Sequence, residues 1–358
     1  MSSASAAQWE SPELVARAAG VVEPVEALIA RLDHQVRHGD AQVALAEAAA
    51  RVRAEPDARL EHALVQWRRL SFARLPVHLP QGAWPPSFND PFPGLAGVPE
   101  ISGDQLTTEI LGGALQHHGS LLVRGLLSSA KAQALCADLD QAFAVREAMW
   151  AGAAPAEISP WYSEVELSEG AVPRPASWDS SGLWTADSPR NHAQWVDLFE
   201  LLGIIDVIGG YFGERPVLSV GKTNLRKVPL VTGTDWHQDG AFLGPEVRAV
   251  NVWIALTACG VEAAGLDIIG RRLPYVLQTG SHGALFDWSV GPGMVELLRQ
   301  GGAQVASPVF EAGDAVLFDH FMLHRTGMRP GLTKMRYASE NWFFAPSSYA
   351  DRHEPIVI

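Results

Sequence analysis

The sequence has few cysteines and no long apolar run. Of its 358 residues, only Cys136 and Cys259 are cysteines, too few for a disulfide framework and typical of a reducing compartment. We interpret both as small buried hydrophobic residues. No segment approaches the ~20 consecutive apolar residues that a membrane-spanning helix needs, and residues 1–20 lack the apolar core of a signal peptide. These absences predict a soluble, cytoplasmic protein.

Positive charge is also scarce. The chain has 27 Lys and Arg against 40 Asp and Glu, which gives a net charge of −13 at pH 7. Because no basic cluster opposes that charge, neither a nucleic-acid backbone nor a membrane surface is an expected partner. The hydrophobic content of 47% and the charged content of 19% are those of a globular protein.

Several common catalytic motifs are missing as well. The sequence has no Gly-rich phosphate loop, no Gly-x-Ser-x-Gly elbow and no His-Glu-x-x-His pair. Nucleotide-dependent, serine-hydrolase and zinc-protease chemistries of these types are therefore not predicted.

The first seventy residues are predicted to be helical. The first helix is indicated by a 3.6-residue apolar period at Val21, Val25, Leu28, Leu32 and Val36. Pro24 suits its first turn and Gly39 its C-terminal cap. A second helix is expected over Asp40–Ala54 and a third from Asp57 onward.

A proline-rich segment follows these helices. Seven prolines lie between Pro76 and Pro99, and such a segment favours a loop or an extended strap over a helix or a central strand. We therefore predict an N-terminal helical extension over residues 1–75, a Pro-rich strap over 76–100 and the principal domain over 101–358.

The principal domain is predicted to combine helices with an antiparallel double sheet. Helices are expected over Asp104–Gln116, Ser129–Met149 and Asn191–Phe212, and a strand over Ser120–Arg124. Short apolar runs separated by Gly/Pro turns then predict strands at Val217–Lys222, Val247–Leu256, Leu266–Ile269, Ala303–Phe310, Ala315–Phe318 and Met335–Phe344. The expected fold class is α+β, with a jelly-roll, cupin-like core (a double-stranded β-helix) and flanking helices.

Residues 150–190 show no stable period. The segment contains Trp161, Trp178 and Trp184 among several Pro, Ser and Gly residues. Loops of this length are usually functional or mobile. The segment is either a lid over a substrate or a loop that its tryptophans pin to the core, and both interpretations stay open.

Two segments contain the residue types of a metal site. His237 and Asp239 are separated by one residue, and His324 lies far downstream. On an extended strand, residues i and i+2 point to the same side, which would bring His237 and Asp239 together. Two imidazoles and one carboxylate on one face of a metal leave the other face open, as in non-haem iron(II) oxygenases. A turn or core histidine is the alternative for His237 alone.

The third ligand has two candidates. His324 is predicted to end an apolar strand that opens with Gly313-Asp314. His320 lies four residues earlier and has the same parity on that strand, so the pattern alone does not decide between them.

Arg336 is a candidate for binding a carboxylate. It follows His324 by twelve residues, after the turn region Gly327–Thr333, and a hairpin of that size would bring both to the same end of adjacent strands. The guanidinium fork holds a carboxylate through two parallel hydrogen bonds. A dianionic co-substrate such as 2-oxoglutarate needs such a group at one end and the metal at the other. Arg325 and Arg329 lie nearer the turn and are expected to be solvated.

These motifs together resemble the phytanoyl-CoA dioxygenase family of Fe(II)/2-oxoglutarate oxygenases. The resemblance rests on His237-x-Asp239, the Trp253 strand over 250–256, Gly313-Asp314, His324-x-Thr326-Gly327 and Arg336. The segment 118–127 is also similar to that family's opening strand. The resemblance covers roughly residues 101 to 345, whereas residues 1 to about 100 and the turn 265–280 match poorly.

The resemblance implies roles for individual residues. Iron would be bound by His237, Asp239 and His324, with His320 left to pack or support the site, since Thr326 and Gly327 follow His324 as in the family. The distal carboxylate of 2-oxoglutarate would be bound by Arg336. Thr326 and Trp253 would lie beside that carboxylate.

The implied activity is an oxygenase reaction that uses Fe(II), 2-oxoglutarate and O2. Oxidative decarboxylation of 2-oxoglutarate to succinate and CO2 would accompany hydroxylation of an unactivated C–H bond of a small-molecule substrate. The presence of Asp239 argues against halogenation, since relatives that halogenate lose the metal carboxylate. Two alternatives are a non-catalytic jelly-roll binding or sensor protein for 2-oxoglutarate or a small acid, and a cupin-like enzyme with another metal.

The substrate and the oligomeric state are not predicted by the sequence. A CoA ester would need basic groups for its phosphates, and Lys222, Arg271 and Arg272 are candidates. Lys222, Asn224 and Arg226 alternate toward one face of a predicted strand. That face either lines a pocket or contacts solvent.

Overall fold

A computed structural model describes residues 23–76, 84–153, 158–174, 181–230, 233–349 and 351–358. The predictions for residues 1–22, for residues 77–83 of the strap and for Trp178 lie outside the described residues. Within the described ranges, every helix is too short or too polar to cross a membrane.

The first part of the chain is helical, the middle part contains both helices and strands, and the last part consists mainly of strands. The helices are α1 Val25–His38, α2 Ala41–Ala54, α3 Ala58–Ser71, α4 Thr108–His117, α5 Ser129–Trp150, α6 Pro189–Leu201, α7 Ile204–Phe212, α8 Gly240–Leu243 and α9 Pro292–Gln300. The strands are β1 Glu100–Ser102, β2 Ser120–Arg124, β3 Gly182–Trp184, β4 Val217–Ser219, β5 Thr223–Val228, β6 Ala249–Ala255, β7 Gly265–Ile269, β8 Val305–Ala306, β9 Ala315–Asp319, β10 His324–Gly327, β11 Arg336–Phe344 and β12 Pro355–Val357.

The three N-terminal helices have the bounds that the sequence predicts. The Asp40 and Asp57 carboxylates cap α2 and α3, each by accepting hydrogen bonds from two backbone N–H groups of the first turn, which would otherwise lack partners. The buried side chains of Leu32 and Leu64 belong to the same apolar cluster as Trp253 of β6. The helices therefore pack into the core of the sheet region, while the division at residues 75 and 100 stays a prediction.

A large sheet and a small sheet form the centre of the molecule. The large sheet has the order β1-β2-β9-β6-β11-β4-β12, with β5 paired to β11 and β3 paired to β5. The small sheet has the order β10-β7-β8. The predicted mixture of helices with a large, mainly antiparallel sheet is confirmed; the jelly-roll topology stays a prediction.

The two faces of the large sheet contact different layers. On β6, Val252 and Ile254 join the cluster formed with α5, α6 and α7. Trp253, between them, joins the cluster that includes Leu266 and Ile268 of β7. Because alternate residues of a strand point to opposite faces, α5, α6 and α7 cover one face and the small sheet lies over the other.

Several predicted elements have different bounds. The predicted strand Val217–Lys222 ends at Ser219, because residues 220–222 form a short 3-10 helix before β5. The predicted strand Ala303–Phe310 is reduced to the two residues of β8. The predicted helix Asn191–Phe212 is divided at Gly203, whose φ of 68° lies in the left-handed region that glycine adopts without strain.

Two smaller expectations concern cysteine and tryptophan. Cys259 is buried and Cys136 is half-buried, and both thiols are free, in line with a structural role. Trp184, in β3, is buried in the cluster beneath the helices. At this position the 150–190 segment is pinned to the core.

Candidate functional site

His237 and His324 lie side by side across a backbone bridge. Each donates its backbone N–H to the other's carbonyl oxygen, with N···O distances of 3.0 Å, and their ring centroids are 4.3 Å apart. His324 is the first residue of β10, whereas the strand that follows Gly313-Asp314 ends at Asp319. The prediction that His324 ends that strand is therefore wrong, because the chain turns before it and enters the small sheet.

Asp239 reaches the same place by a turn and not along a strand. Its φ and ψ of −64° and −21° are helical, and it directly precedes the short helix α8. The Asp239 Oδ1 atom lies 3.9 Å from His237 Nε2. The two side chains are close, as predicted, but the strand-parity argument for their proximity is wrong.

Backbone carbonyls fix the orientation of both imidazoles. His237 Nδ1 is 2.8 Å from the Asp235 carbonyl oxygen and His324 Nδ1 is 3.1 Å from that of Met322. When Nδ1–H donates to a carbonyl, the Nε2 lone pair remains available for a metal. Burial, followed by the neighbouring His237, lowers the pKa of His324 to about 4, so this ring is neutral at pH 7.

The spacing of the His237 and Asp239 donors is wider than that of a closed metal site. Donors bound to one metal at about 2.1 Å and at right angles lie about 3 Å apart, whereas the His237–Asp239 distance is 3.9 Å. In the described part of the chain, no group of three His, Cys, Asp or Glu side chains is arranged so that it could hold a metal ion. The donor types suit Fe(II), and the Asp239 carboxylate has to move toward the imidazoles for all three to bind one ion.

His320, the alternative third ligand, has a different partner. Its Nε2 atom is 3.2 Å from the Pro245 carbonyl oxygen, and its own backbone oxygen accepts a hydrogen bond from Gly240 N. Burial lowers the pKa of the His320 imidazole. These contacts support the turn that contains Asp239 and leave His324 as the better-placed nitrogen donor.

Arg336 is a buried cation without a carboxylate partner. It is 2% exposed, and its Nη1 donates to the Ala264 and Gly265 carbonyl oxygens at 3.2 and 3.0 Å. Its Nε has no hydrogen-bond partner, and among the described residues no carboxylate forms an ion pair with it. Burial lowers its pKa.

Arg336 and His324 are connected through the small sheet. The predicted hairpin of adjacent strands is wrong, because Arg336 begins β11 of the large sheet while His324 begins β10 of the small sheet. Gly265, which accepts from Arg336, pairs with Gly327 at the end of β10. A four-residue strand spans about 10 Å, so the guanidinium lies about one small-molecule length from the imidazoles.

Thr326 and Trp253 border this region. The Thr326 hydroxyl lies 3.1 Å from the Thr234 hydroxyl, which also accepts the Thr326 backbone N–H at 2.9 Å. The Trp253 ring centroid lies 5.4 Å from the Arg336 guanidinium carbon, and its buried Nε1–H has no partner. Trp253 thus lies beside Arg336, whereas the contact of Thr326 and Trp253 with a bound carboxylate stays a prediction.

Other basic residues differ in their partners. Arg325 and Arg329 both lie near the Asp267 carboxylate, at 3.0 and 3.7 Å. They are therefore paired rather than simply solvated. Arg272 is paired with Asp319, so it is not free to bind a phosphate.

The sequence prediction missed acidic and aromatic residues near the site. Glu340 of β11 pairs in register with both Asn224 and Trp253, so it lies on the interior face of the large sheet. Phe242 and Trp288 have ring centroids 6.5 and 5.6 Å from that of His237. Only the alternation of Lys222, Asn224 and Arg226 pointed to this face, and the register now places Asn224 and Arg226 on its interior side.

Comparisons with known proteins find solved structures with low structural and sequence similarity to this chain. No protein-family model and no curated protein matches the chain. The non-haem α-ketoglutarate-dependent carbocyclase SnoK from nogalamycin biosynthesis has a TM-score of 0.44 and 13% identity, over 68% of this chain and 86% of that chain. AviO1 from Streptomyces viridochromogenes Tue57 has a TM-score of 0.42 and 16% identity, over 69% and 98%.

A third solved structure is the epimerase SnoN in complex with Fe3+, α-ketoglutarate and nogalamycin RO. Its TM-score is 0.39 at 14% identity, over 66% of this chain and 83% of that chain. At such low identities and TM-scores, these likenesses establish neither a family nor an activity for this chain.

Proposed function

We propose that the chain is an Fe(II)- and 2-oxoglutarate-dependent dioxygenase that acts on a small molecule. In this proposal His237, Asp239 and His324 bind the iron and Arg336 binds the distal carboxylate of 2-oxoglutarate. The observation that supports it most strongly is the buried Arg336 guanidinium, which lacks an anionic partner among the described residues.

The environment of Arg336 favours a bound carboxylate. Removing an ion from water costs several kcal/mol unless an opposite charge and hydrogen bonds replace the water. The two backbone carbonyls satisfy Nη1 only, so Nε and Nη2 remain to form the fork that fits a carboxylate. A co-substrate bound there would provide the missing charge.

The residues of the chain orient the reactants and keep water away. With Fe(II), 2-oxoglutarate and O2 bound, the site would supply oxidative decarboxylation to succinate and CO2 coupled to oxidation of a substrate C–H bond, with hydroxylation as the expected outcome. The carbonyls of Asp235 and Met322 hold the two imidazoles in the tautomer that a metal needs. Phe318, 4.8 Å from His324 by ring centroids, closes the side toward the core.

We also propose a fold type and a cellular location for the protein. The large and small sheets would form the two halves of a jelly roll of the phytanoyl-CoA dioxygenase type, and the protein would be cytoplasmic. Neither nucleic acid nor a membrane is proposed as a partner.

One observation favours a second candidate function. The 3.9 Å separation of His237 and Asp239 is compatible with a site that has no iron, in which case Arg336 would bind 2-oxoglutarate or a small acid in a non-catalytic binding or sensor protein. Both candidates use Arg336, and only the first uses a metal.

Iron stoichiometry separates the two candidates. The protein would be loaded with Fe(II) without oxygen, desalted and analysed for metal, alongside His237→Ala, Asp239→Ala and His324→Ala. We expect one iron per chain in the wild type and a loss of most of it in each variant. His320→Ala is the matched control and should retain iron, because it keeps the backbone oxygen that accepts from Gly240 N next to Asp239. A wild type that binds no stoichiometric iron would favour the binding protein.

A further inference from the structure

Lys222 is a half-buried cation near the site. It ends the short 3-10 helix Val220–Lys222 that leads into β5. Its Nζ lies 4.0 Å from the centroid of the Phe242 ring, and that ring is stacked 6.5 Å from the ring of His237. The Phe242 ring thus contacts the ammonium group and lies near a candidate iron ligand.

Lys222 has no anionic partner of its own. Among the described residues it forms no ion pair, and the carboxylates that act on it electrostatically are Asp239 and Glu340. Glu340 is paired with Arg226 at 3.4 Å, and the Asp239 carboxylate is used by the iron in the proposed function. Burial lowers the pKa of Lys222 more than these two carboxylates raise it.

The charges of the loaded site balance without Lys222. Iron and Arg336 together bring three positive charges, which Asp239 and dianionic 2-oxoglutarate neutralise. Arg226 and Glu340 neutralise each other. Lys222 remains as one uncompensated positive charge, and burying such a charge is unfavourable unless a ligand compensates it.

An aromatic rim lies next to this cation. Phe242 and Trp288 are each 39% exposed and Phe286 is 50% exposed, which is unusual for side chains of this size. The Phe286 and Trp288 rings are parallel within 4° at 5.1 Å, and the Trp288 ring meets His237 at 87° and 5.6 Å. Exposed rings in this arrangement offer a stacking surface to a flat apolar group.

We propose that Lys222 binds a carboxylate of the substrate and that Phe242 and Trp288 contact an aromatic body attached to it. The substrate class is therefore an aromatic carboxylic acid. A single ammonium compensates one negative charge, which favours a carboxylate over a doubly charged phosphate. The proposal rests on the proposed function, because there the iron uses the Asp239 carboxylate that would otherwise act on Lys222.

Calorimetric titration with a charged and a neutral probe tests the proposal. The probes are 3-phenylpropanoate and 3-phenylpropanamide, titrated without oxygen into protein that has been loaded with Fe(II) and saturated with 2-oxoglutarate. We expect the acid to bind and the amide to bind about tenfold or more weakly, as expected for loss of a hydrogen bond between two charged groups. Equal affinities would overturn the proposal.

Substitutions locate the binding site. Lys222→Met should weaken the acid about tenfold or more and leave the amide unchanged, and Lys222→Arg should restore most of the affinity. Lys227→Met is the matched control, because Lys227 is paired with Asp140 at 2.7 Å, and it should bind the acid like the wild type. Unchanged affinity in Lys222→Met, or displacement of the acid by 2-oxoglutarate, would overturn the proposal.

Two further measurements test the stacking surface and check that Lys222→Met keeps the iron site. Trp288→Leu changes an exposed side chain and should weaken both probes, since it removes the stacking surface. Iron content of Lys222→Met should equal that of the wild type. Because iron content is measured separately, a failure of the iron proposal appears as missing iron, whereas a failure of the Lys222 proposal appears as equal affinities for the acid and the amide in iron-loaded protein.

Discussion

Cations in the N-terminal helices and cations between the two sheets differ in their ion-pair partners. In α1, Arg31 lies between two carboxylates, with distances of 2.7 Å to Glu23 and 2.8 Å to Glu47. Between the sheets, Arg336 is buried, and neither it nor the half-buried Lys222 forms an ion pair among the described residues. A half-exposed cation with two partners contributes to packing, whereas a buried cation without one indicates a place for an anionic ligand.

Arg68 is a buried cation of the N-terminal helices. It lies in α3, is buried, and donates Nη1 to the Val357 carbonyl oxygen at 3.3 Å. Burial lowers its pKa to about 10, but Asp197 and Glu200 act in the opposite direction. Both carboxylates are themselves paired, Asp197 with Arg53 and Glu200 with Arg215. Arg68 is therefore also a buried cation without an ion pair among the described residues. Arg336 differs because its acceptor Gly265 pairs with the strand that contains His324.

The largest expected effect comes from replacing the unpaired cation. Arg336→Met should lower the affinity for 2-oxoglutarate about a hundredfold or more, because a bidentate charged contact is lost. The same change should leave the free energy of unfolding of the ligand-free protein unchanged or raise it by about 1 kcal/mol, since an uncompensated buried charge disappears. Calorimetry and urea unfolding measure the two quantities.

A matched change in the helices tests whether this behaviour is specific. Arg31→Met should leave the affinity for 2-oxoglutarate unchanged and lower stability slightly. If Arg336→Met instead lost stability and kept its affinity, Arg336 would be a packing residue and the distinction between the two regions would fail.

A second effect is expected at an ion pair between α3 and α6 whose carboxylate is buried. Glu61 of α3 is 1% exposed, and Arg190 of α6 contacts both of its oxygens at 2.8 and 3.1 Å. Arg190→Met should lower the free energy of unfolding by about 3 kcal/mol, because it leaves a buried carboxylate unpaired. Arg37→Met, which breaks an exposed pair with Asp33, should cost at most about 0.5 kcal/mol. Urea unfolding that gave equal losses would contradict this account.

The smallest expected effect concerns pH. Burial lowers the pKa of His192 to about 3, followed by the charge of Arg68, while the unfolded chain has the ordinary value of about 6.5. As pH falls, His192 therefore takes up a proton in the unfolded chain before it does so in the folded chain. The contribution of His192 to stability is complete above pH 6.5 and is lost as pH falls toward 3. The slope should be about 1.4 kcal/mol per pH unit. Urea unfolding between pH 7 and 5 should show a shallower slope in His192→Leu, and an identical slope would refute the assignment.

The helices could be predicted because their determinants are local. Asp40 and Asp57 mark helix starts by hydrogen bonds to the next turn, and the period of apolar residues specifies the buried face. The grouping of His237 and Asp239 was also predictable, since residues so close in sequence remain neighbours in either a strand or a turn.

The contacts across the sheets could not be predicted in the same way. Met322 and Leu323 are buried and apolar, so the turn before His324 has the composition of a continuing strand. The partners of Arg336 lie about seventy residues away in β7. Lys222 lacks an ion-pair partner among the described residues because Glu340, more than a hundred residues downstream, is paired with Arg226.

The most direct test of the central claim is the visible absorption of the protein titrated without oxygen with Fe(II) and then 2-oxoglutarate. The account predicts a weak metal-to-ligand charge-transfer band in the wild type and a weakened band in Arg336→Met at the same concentration. A wild type that binds iron and shows no band would contradict it, because the keto acid would then not chelate the metal at this site.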